Sequence, residues 1–434
     1  MTGWSSRLVV ILLLPIILLS LKGSAEAQLR GHGGPVRALA ISPDGKRAVS
    51  GSFDTSAIRW SLDRNVAVQV MRFHDGAVNA VAYLNDGRIA TAGADAHIAI
   101  WTPGRQAPDE VLNGHTGPIV DLAVSPDGKT LASASWDRTV RLWPIGGGAA
   151  RVLQGHTQNV NGVDFTPGSK RLVSVGYDAS LRIWPLDNLN GVGVHNMPTP
   201  LNSVAVAPDG EIVTAGADGK VYFLSPQGEI RSEVEASKTP VISIAISPDG
   251  RLVAAAGIRG SVAVIDRVGR KRERTLIGPG LPVWSVEFFP DNKTLLTGGT
   301  DRMIRRWNAV SGEPLDRLVA GAPNDPLKAY AGDRGAQVFR ACVACHTLSP
   351  DEGNKAGPSL AGIFGRKIGS LPGYHYSEAL KHMNIVRTPE TVSKMFEVGP
   401  MQYTPGTKMP EQKIGSAADR KALMEFLAKA TKKK

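Results

Sequence analysis

The chain has 434 residues, 42% of them hydrophobic and 21% charged, with a formal net charge of +11. Those proportions describe a globular chain with room for two or three domains and exclude a low-complexity or disordered one. Only two cysteines occur, too few for a disulfide-built scaffold, and 48 glycines with 29 prolines fit many short strands joined by turns.

In residues 1–27, Arg7 precedes an apolar run from Leu8 to Leu21, broken by Pro15 and followed by Gly23-Ser24-Ala25-Glu26-Ala27. A charged start, a short apolar run and an A-x-A site predict a signal peptide cleaved after Ala27. The run is short for a transmembrane span, so a membrane is expected only if this segment stays uncleaved. The mature chain would then start at Gln28 and be periplasmic.

Residues 28–320 repeat one phrase: Gly-His, an apolar alternation, Ser-Pro-Asp-Gly or a variant, small residues, Asp, and Trp six residues later. The Asp slots are Asp54, Asp95, Asp137, Asp178, Asp218, Arg259 and Asp301; the Trp slots are Trp60, Trp101, Trp143, Trp184, Leu224, Ile265 and Trp307. A period near 40 implies four strands per unit, and such units bury their faces only by stacking into a ring. The phrase resembles the WD-repeat family, which implies an all-β seven-bladed propeller over 28–320. In that family the His, a strand hydroxyl, the Asp and the Trp form a buried hydrogen-bonded chain; His115, Ser133, Asp137 and Trp143 would be one set. Repeats five and six lack the Trp, repeat six lacks the Asp, and repeats six and seven lack the Gly-His.

Five histidines (His32, His74, His115, His156 and His195) fall in Gly-His-type slots, leaving His97 free in the ring, on a strand. The segment Glu313 to Ala320 is expected to close the ring as the outer strand of the last blade. The resemblance also implies a rim where Arg37, Phe53, Trp136, Tyr177 and Trp284 are candidate contacts for a protein partner; Asn79, Asn161 and Asn202 share the first-strand position.

Ala322-Pro323-Asn324-Asp325-Pro326 marks a linker over 321–332. In 333–434, Asp333 to Arg340 predicts a helix with Gly335, Val338 and Phe339 on its packing side. A long turn-rich middle follows, and Ser416 caps a last helix whose Leu423, Phe426, Leu427 and Ala430 share one face. Cys342-Val343-Ala344-Cys345-His346 has the C-x-x-C-H spacing of c-type haem attachment, with His346 adjacent as an iron ligand. A metal knuckle would need a second ligand pair, and none exists. Candidates for the sixth ligand are His375, His382, Met383, Met395, Met401, Met409 and Met424. Met409 sits in a proline-bounded loop able to hold a thioether, whereas Met424 reads as helix core.

The motif with Gly357-Pro358-Ser359-Leu360, Gly365-Arg366-Lys367 and Pro405-Gly406-Thr407-Lys408-Met409 resembles class I cytochrome c of the mitochondrial and bacterial short-chain type. That resemblance implies a small all-α domain with one covalent haem c on Cys342 and Cys345, and His346 and Met409 as axial ligands. It further implies a Pro358 carbonyl accepting from His346, and Arg366 and Tyr376 at a propionate. Three positions depart from the family: no Trp follows Trp307, so its propionate Trp slot falls near Arg387 or Thr388; Phe396 stands where a Tyr touches the axial Met; and Gly399-Pro400 replaces Asn-Pro.

Residues 326–434 hold 17 Lys+Arg against 9 Asp+Glu. In a haem domain this charge suits steering onto an acidic redox partner rather than nucleic acid. Lys355, Lys367, Lys381, Lys394 and Lys408 are candidates for that docking. A saturated haem favours single-electron transfer over substrate chemistry, with no catalytic residue expected. The alternatives are an oxidoreductase with an active site in the propeller and the haem as electron outlet, or a redox-sensing scaffold.

Overall fold

A computed structural model describes residues 29–188, 191–278, 281–315, 327–340, 342–343, 346–349, 357–372, 374, 376–405, 407, 409 and 413–432. The expectations for the signal segment, residues 321–326 of the linker, Lys355, Lys408, Cys345 and His375 lie outside the described residues.

Seven four-stranded antiparallel sheets follow one another around a ring. Blade one is Val36–Ile41, Arg47–Ser52, Ser56–Ser61 and Val66–Arg72, and blades two to six repeat this meander. The turns explain the repeated phrase. In blade three the Ser125 hydroxyl donates to Asp127 Oδ1 (2.6 Å) and accepts from Thr130 N (2.9 Å), while Gly128 takes φ +71°.

The buried polar chain forms in four repeats. His115 lies 2.7 Å from Asp137 through Nδ1 and 2.7 Å from the Ser133 hydroxyl through Nε2; Trp143 Nε1 donates to the same hydroxyl at 2.9 Å. The sets His32–Asp54–Ser50–Trp60, His74–Asp95–Thr91–Trp101 and His156–Asp178–Ser174–Trp184 have the same geometry. Each histidine holds two strands and a turn together, and removing one of the buried indoles costs about 3–5 kcal/mol.

Where repeats degenerate, other bonds substitute. In blade five the Tyr222 hydroxyl donates to Asp218 at 2.6 Å. Between blades five and six, Arg267 reaches the buried Glu211 and the exposed Asp209, each at 2.7 Å, in a network that Arg270 joins.

Three expectations for the ring are corrected. His195 is not in a relay slot: it lies on Gly193–Asn196, the outer strand of blade four, opposite Leu181. The relay histidine stands 21 or 22 residues before its Asp, whereas His195 precedes Asp218 by one more, and a one-residue slip turns a strand side chain to the other face. His97 precedes Ile98–Trp101 in a turn, with its N–H on Asp95, rather than sitting within the strand. Ring closure draws on the other end of the chain as well. Leu29–Arg30 is the outer strand of the last blade, with Leu29 opposite Ile304. Leu29 is 2% exposed and packs with Ile58 and Trp60, which rewards this pairing; of the expected closing segment, the described residues Glu313–Leu315 also pair with the last blade, Pro314 bridging Trp307 and Leu315 N–H donating to the Arg306 carbonyl at 3.0 Å.

The inner strands enclose a channel. Asn79, Asn161 and Asn202 each donate to a backbone carbonyl of the next blade (2.8–3.0 Å), and Arg37 turns to the Trp284 carbonyl, so these positions tie blades together. Arg37 is half-buried and lines the channel together with Trp284. Asp121 accepts from Val163 N and Asp164 from Val206 N, further inter-blade bonds.

Burial, then the nearby charges of Asp164 and Asp121, pushes the Glu287 carboxyl up to about 8. A raised carboxyl keeps a proton that the unfolded chain releases, so its contribution is complete at low pH and is lost as pH rises through about 8. Glu287→Gln is therefore expected to stabilise the ring by about 2–4 kcal/mol at pH 9 and to leave pH 4 unchanged. Paired thermal melts at the two pH values check this, and an equal difference at both would remove the channel acid as the cause.

The second domain is helical: α1 (Arg334–Phe339), α2 (Glu378–His382), α3 (Pro389–Val398), α4 (Pro400–Tyr403) and α5 (Ala417–Ala430). Asp333 caps α1 through Ala336 N, and Ser416 caps α5 through Asp419 N. The turn-rich middle in fact contains α2, α3 and α4; Thr388 and Thr391 form the capping box of α3, with Pro389 at its first position. The core takes in Leu327, 1% exposed, and Tyr330, whose ring stands edge-on to Phe426 at 5.1 Å, so the domain begins before residue 333.

Candidate haem site

Helices α1 and α5 cross at Gly335, and the chain leaving α1 carries Cys342 and then His346. The N–H of Cys342 bonds the Phe339 carbonyl at 2.7 Å, and that of His346 bonds the Cys342 carbonyl at 2.9 Å, so the segment winds on tightly. Cys342 is buried, and burial pushes its thiol up to about 12, which leaves no thiolate nucleophile at neutral pH.

Both Cys342 and His346 line a cavity of about 430 Å³. Its walls are apolar: Phe339, Leu360, Ile363, Val392, Phe396, Leu423 and Leu427. The imidazole enters with one nitrogen held, His346 Nδ1 donating to the Pro358 carbonyl at 2.7 Å. That bond fixes the ring plane and the tautomer in which Nε2 would be the nitrogen offered to a metal. Gly357 lies flat against that ring, where a Cβ would stand 2.3 Å from Cε1; no other residue fits there.

Met409 lines the same cavity as His346, and so does Met395 of α3. The other candidates do not converge there. Met424 is helix core at 6% exposure, His382 is exposed, and Met383 packs in a separate cluster with Ile368 and Leu380. The Met401 side chain lies outside the described residues.

One edge of the cavity is polar and incomplete. Tyr376 Oη and Arg387 Nη1 are buried without a hydrogen-bond partner. Arg366 stands behind this wall: Nη1 and Nη2 donate to the carbonyls of Ala361 and Ser359, each at 2.9 Å, while Nε stays buried and unpartnered. Burial lowers the Arg366 pKa; Tyr376 opposes that shift and Arg387 adds to it. Two guanidinium groups with orphaned donors, beside an apolar slot, need an anion. An apolar macrocycle with two carboxylates fits this donor set, so the residues present suit haem. Arg387, one of the two positions near which the family's Trp slot falls, brings a charged donor to this edge.

On the ring, Phe53, Trp136 and Tyr177 are 44%, 43% and 42% exposed along one rim. Trp284 is half-buried, stacks under Arg37 at 5.6 Å, and donates from Nε1 to Thr300 at 2.8 Å. Lys367, Lys381 and Lys394 are exposed, and Lys394 pairs with Glu397 at 3.0 Å.

Comparison with known families agrees with this architecture. Six segments, 23–61, 65–102, 107–144, 147–185, 228–266 and 270–308, match the WD domain, G-beta repeat, and residues 332–431 match Cytochrome c. Blade five escapes the match, in keeping with Leu224 in its Trp slot and Tyr222 in place of the relay. The cytochrome c of Cochliobolus lunatus is 44% identical over 100 residues, 23% of this chain and 92% of that protein. That of Arabidopsis thaliana is 44% identical over 100 residues, 23% of this chain and 88% of that protein. Cytochrome c2 of Blastochloris viridis is 40% identical over 92 residues, 21% of this chain and 72% of that protein. The chain belongs to the WD-repeat family through its ring and to the cytochrome c family through its C-terminal domain, a fusion whose second part carries covalent haem and its iron.

Proposed function

We propose that this protein is a periplasmic single-electron carrier, with one haem held by Cys342 and Cys345, ligated by His346 and Met409, and a propeller that binds a protein partner. The observation that carries the reading is the shared cavity: an imidazole oriented by the Pro358 carbonyl and a thioether line one apolar chamber. When bound, the haem supplies a reversible one-electron couple. The chain's own residues orient the imidazole, exclude water with Leu360, Phe396 and Leu427, and present exposed lysines to an acidic partner. Export and cleavage after Ala27 rest on the signal-like segment, and the rim aromatics Phe53, Trp136 and Tyr177 support partner binding by the ring.

The test uses purified full-length protein from a periplasmic fraction. One haem per chain, Gln28 as first residue, no carbon monoxide binding by the reduced form, and electron exchange with an acidic redox protein that slows as salt rises are expected. Rapid carbon monoxide binding would mean an open iron site, and salt-independent exchange would end the lysine docking idea.

A further inference from the structure

We propose that the rim of blade one closes the haem cleft, and that Arg72 supplies from it a charged donor to a haem propionate. The inference rests on the haem-carrier reading and adds a residue from outside the cytochrome domain. Arg72 ends Val66–Arg72, the outer strand of blade one, and Phe73 follows it; both line the cavity that holds His346 and Met409. The Arg72 guanidinium stacks over the Tyr374 ring, 5.0 Å from its centroid. Its Nη2 is buried with no hydrogen-bond partner, as are Tyr376 Oη and Arg387 Nη1 on the same cavity.

Three orphaned donors around one chamber, two of them cationic, are costly unless an anion completes them. The ring's own acids do not. Asp54 and Asp75 both line the cavity, but neither hydrogen-bonds Arg72 Nη2, and Asp54 is committed to His32, Gly33 and Ser56. Stacking on Tyr374 orients the guanidinium plane and leaves its edge to meet a carboxylate as a planar fork. The ring is thereby a cover for one haem edge as well as a partner module, and incoming redox proteins are steered to the edges that remain.

The experiment compares full-length holoprotein carrying Arg72→Gln, Arg72→Lys, or the exposed control Arg151→Gln in potentiometric titrations. A cation beside the haem disfavours the oxidised form, which carries one more positive charge. Arg72→Gln is therefore expected to shift the reduction equilibrium about three- to tenfold toward the oxidised form, tenfold being 59 mV for one electron. Arg72→Lys should retain most of the original value, and Arg151→Gln should match the unaltered protein. An unchanged potential in Arg72→Gln, or an equal shift in Arg151→Gln, overturns the inference. Arginine modification of the unaltered holoprotein by phenylglyoxal gives a reading that needs no variant to fold. Arg72 should be protected relative to Arg151, and equal labelling overturns the cover. Absence of covalent haem from the unaltered chain would instead sink the carrier reading itself.

Discussion

Met409→Ala is expected to abolish the sulfur-to-iron charge-transfer band of the oxidised protein, lower the reduction potential, and let the reduced form bind carbon monoxide. The expectation follows from what reaches the chamber. His346 is fixed by the Pro358 carbonyl on one side, and two thioethers, Met409 and Met395, line the walls. Met395 belongs to α3, whose backbone is held by its Thr388 and Thr391 capping box and by Val392 and Phe396 packed in the core. Met409 comes from a loop flanked by prolines, free of a helix's geometric demands. A thioether ligand favours the reduced metal, so its loss moves the equilibrium toward the oxidised form. Met409 is only partly buried, and truncation costs about 1–2 kcal/mol in packing, so the domain stays folded and the spectrum stays readable. Met395→Ala is the matched control and keeps the band. If the band survives in Met409→Ala and disappears in Met395→Ala, the ligand is the helix residue. Absorption near the red edge of the oxidised spectrum, with midpoint titration, decides between them.

The seven blades were legible because their unit is local. A turn of Ser-Pro-Asp-Gly and a relay of four residues repeat at nearly constant spacing, and each makes its bonds within one repeat. Closure was not legible for the opposite reason. Leu29–Arg30 is a strand of two residues with no periodicity to detect, and its partner Ile304 lies at the far end of the ring. His195 shows how little separates a motif from its imitation, since the displacement of one residue puts it on an outer strand. The haem chamber divides the same way. His346, Pro358 and Met409 belong to short phrases, and Tyr376 belongs to the family pattern. Arg387 was visible only as one of two positions, with Thr388, near a missing Trp. Arg72 ends an ordinary strand in another domain, and only the packing of the two domains brings it to the chamber. The Thr388-Pro389 start of α3 was a signal present in the sequence and passed over, although Val392, Met395 and Phe396 keep helical spacing behind it.

Gly335→Ala is expected to prevent stable haem attachment although it lies outside the chamber. In α1 a Cβ at position 335 would stand 2.0 Å from the Ala422 carbonyl oxygen and 2.5 Å from Phe426 Cβ. Both obstacles belong to α5, and one is backbone, so no rotamer change relieves the overlap and the helices must part. The contact they would lose is the centre of the domain. Phe339 packs on Phe426 with ring centroids 5.4 Å apart, Leu423 is fully buried, and Tyr330 closes the other side of Phe426. Overpacking of this kind costs about 3 kcal/mol or more when backbone has to move. The displacement also travels to the chemistry, because Cys342 is hydrogen-bonded to Phe339, the last residue of α1, and the next turn brings His346. Tilting α1 therefore moves the cysteine and the imidazole together, away from the Pro358 carbonyl that orients the ring. Haem-to-chain ratio and the melting of the haem band measure the effect against Arg334→Ala, whose side chain is exposed and whose main partner is the surface residue Asp419. The control is expected within about 0.5 kcal/mol of the parent, with full haem content. Equal haem content and equal stability in Gly335→Ala would mean that the helix crossing is loose enough to absorb a methyl group, and that Cys342 and His346 are positioned by the loop alone.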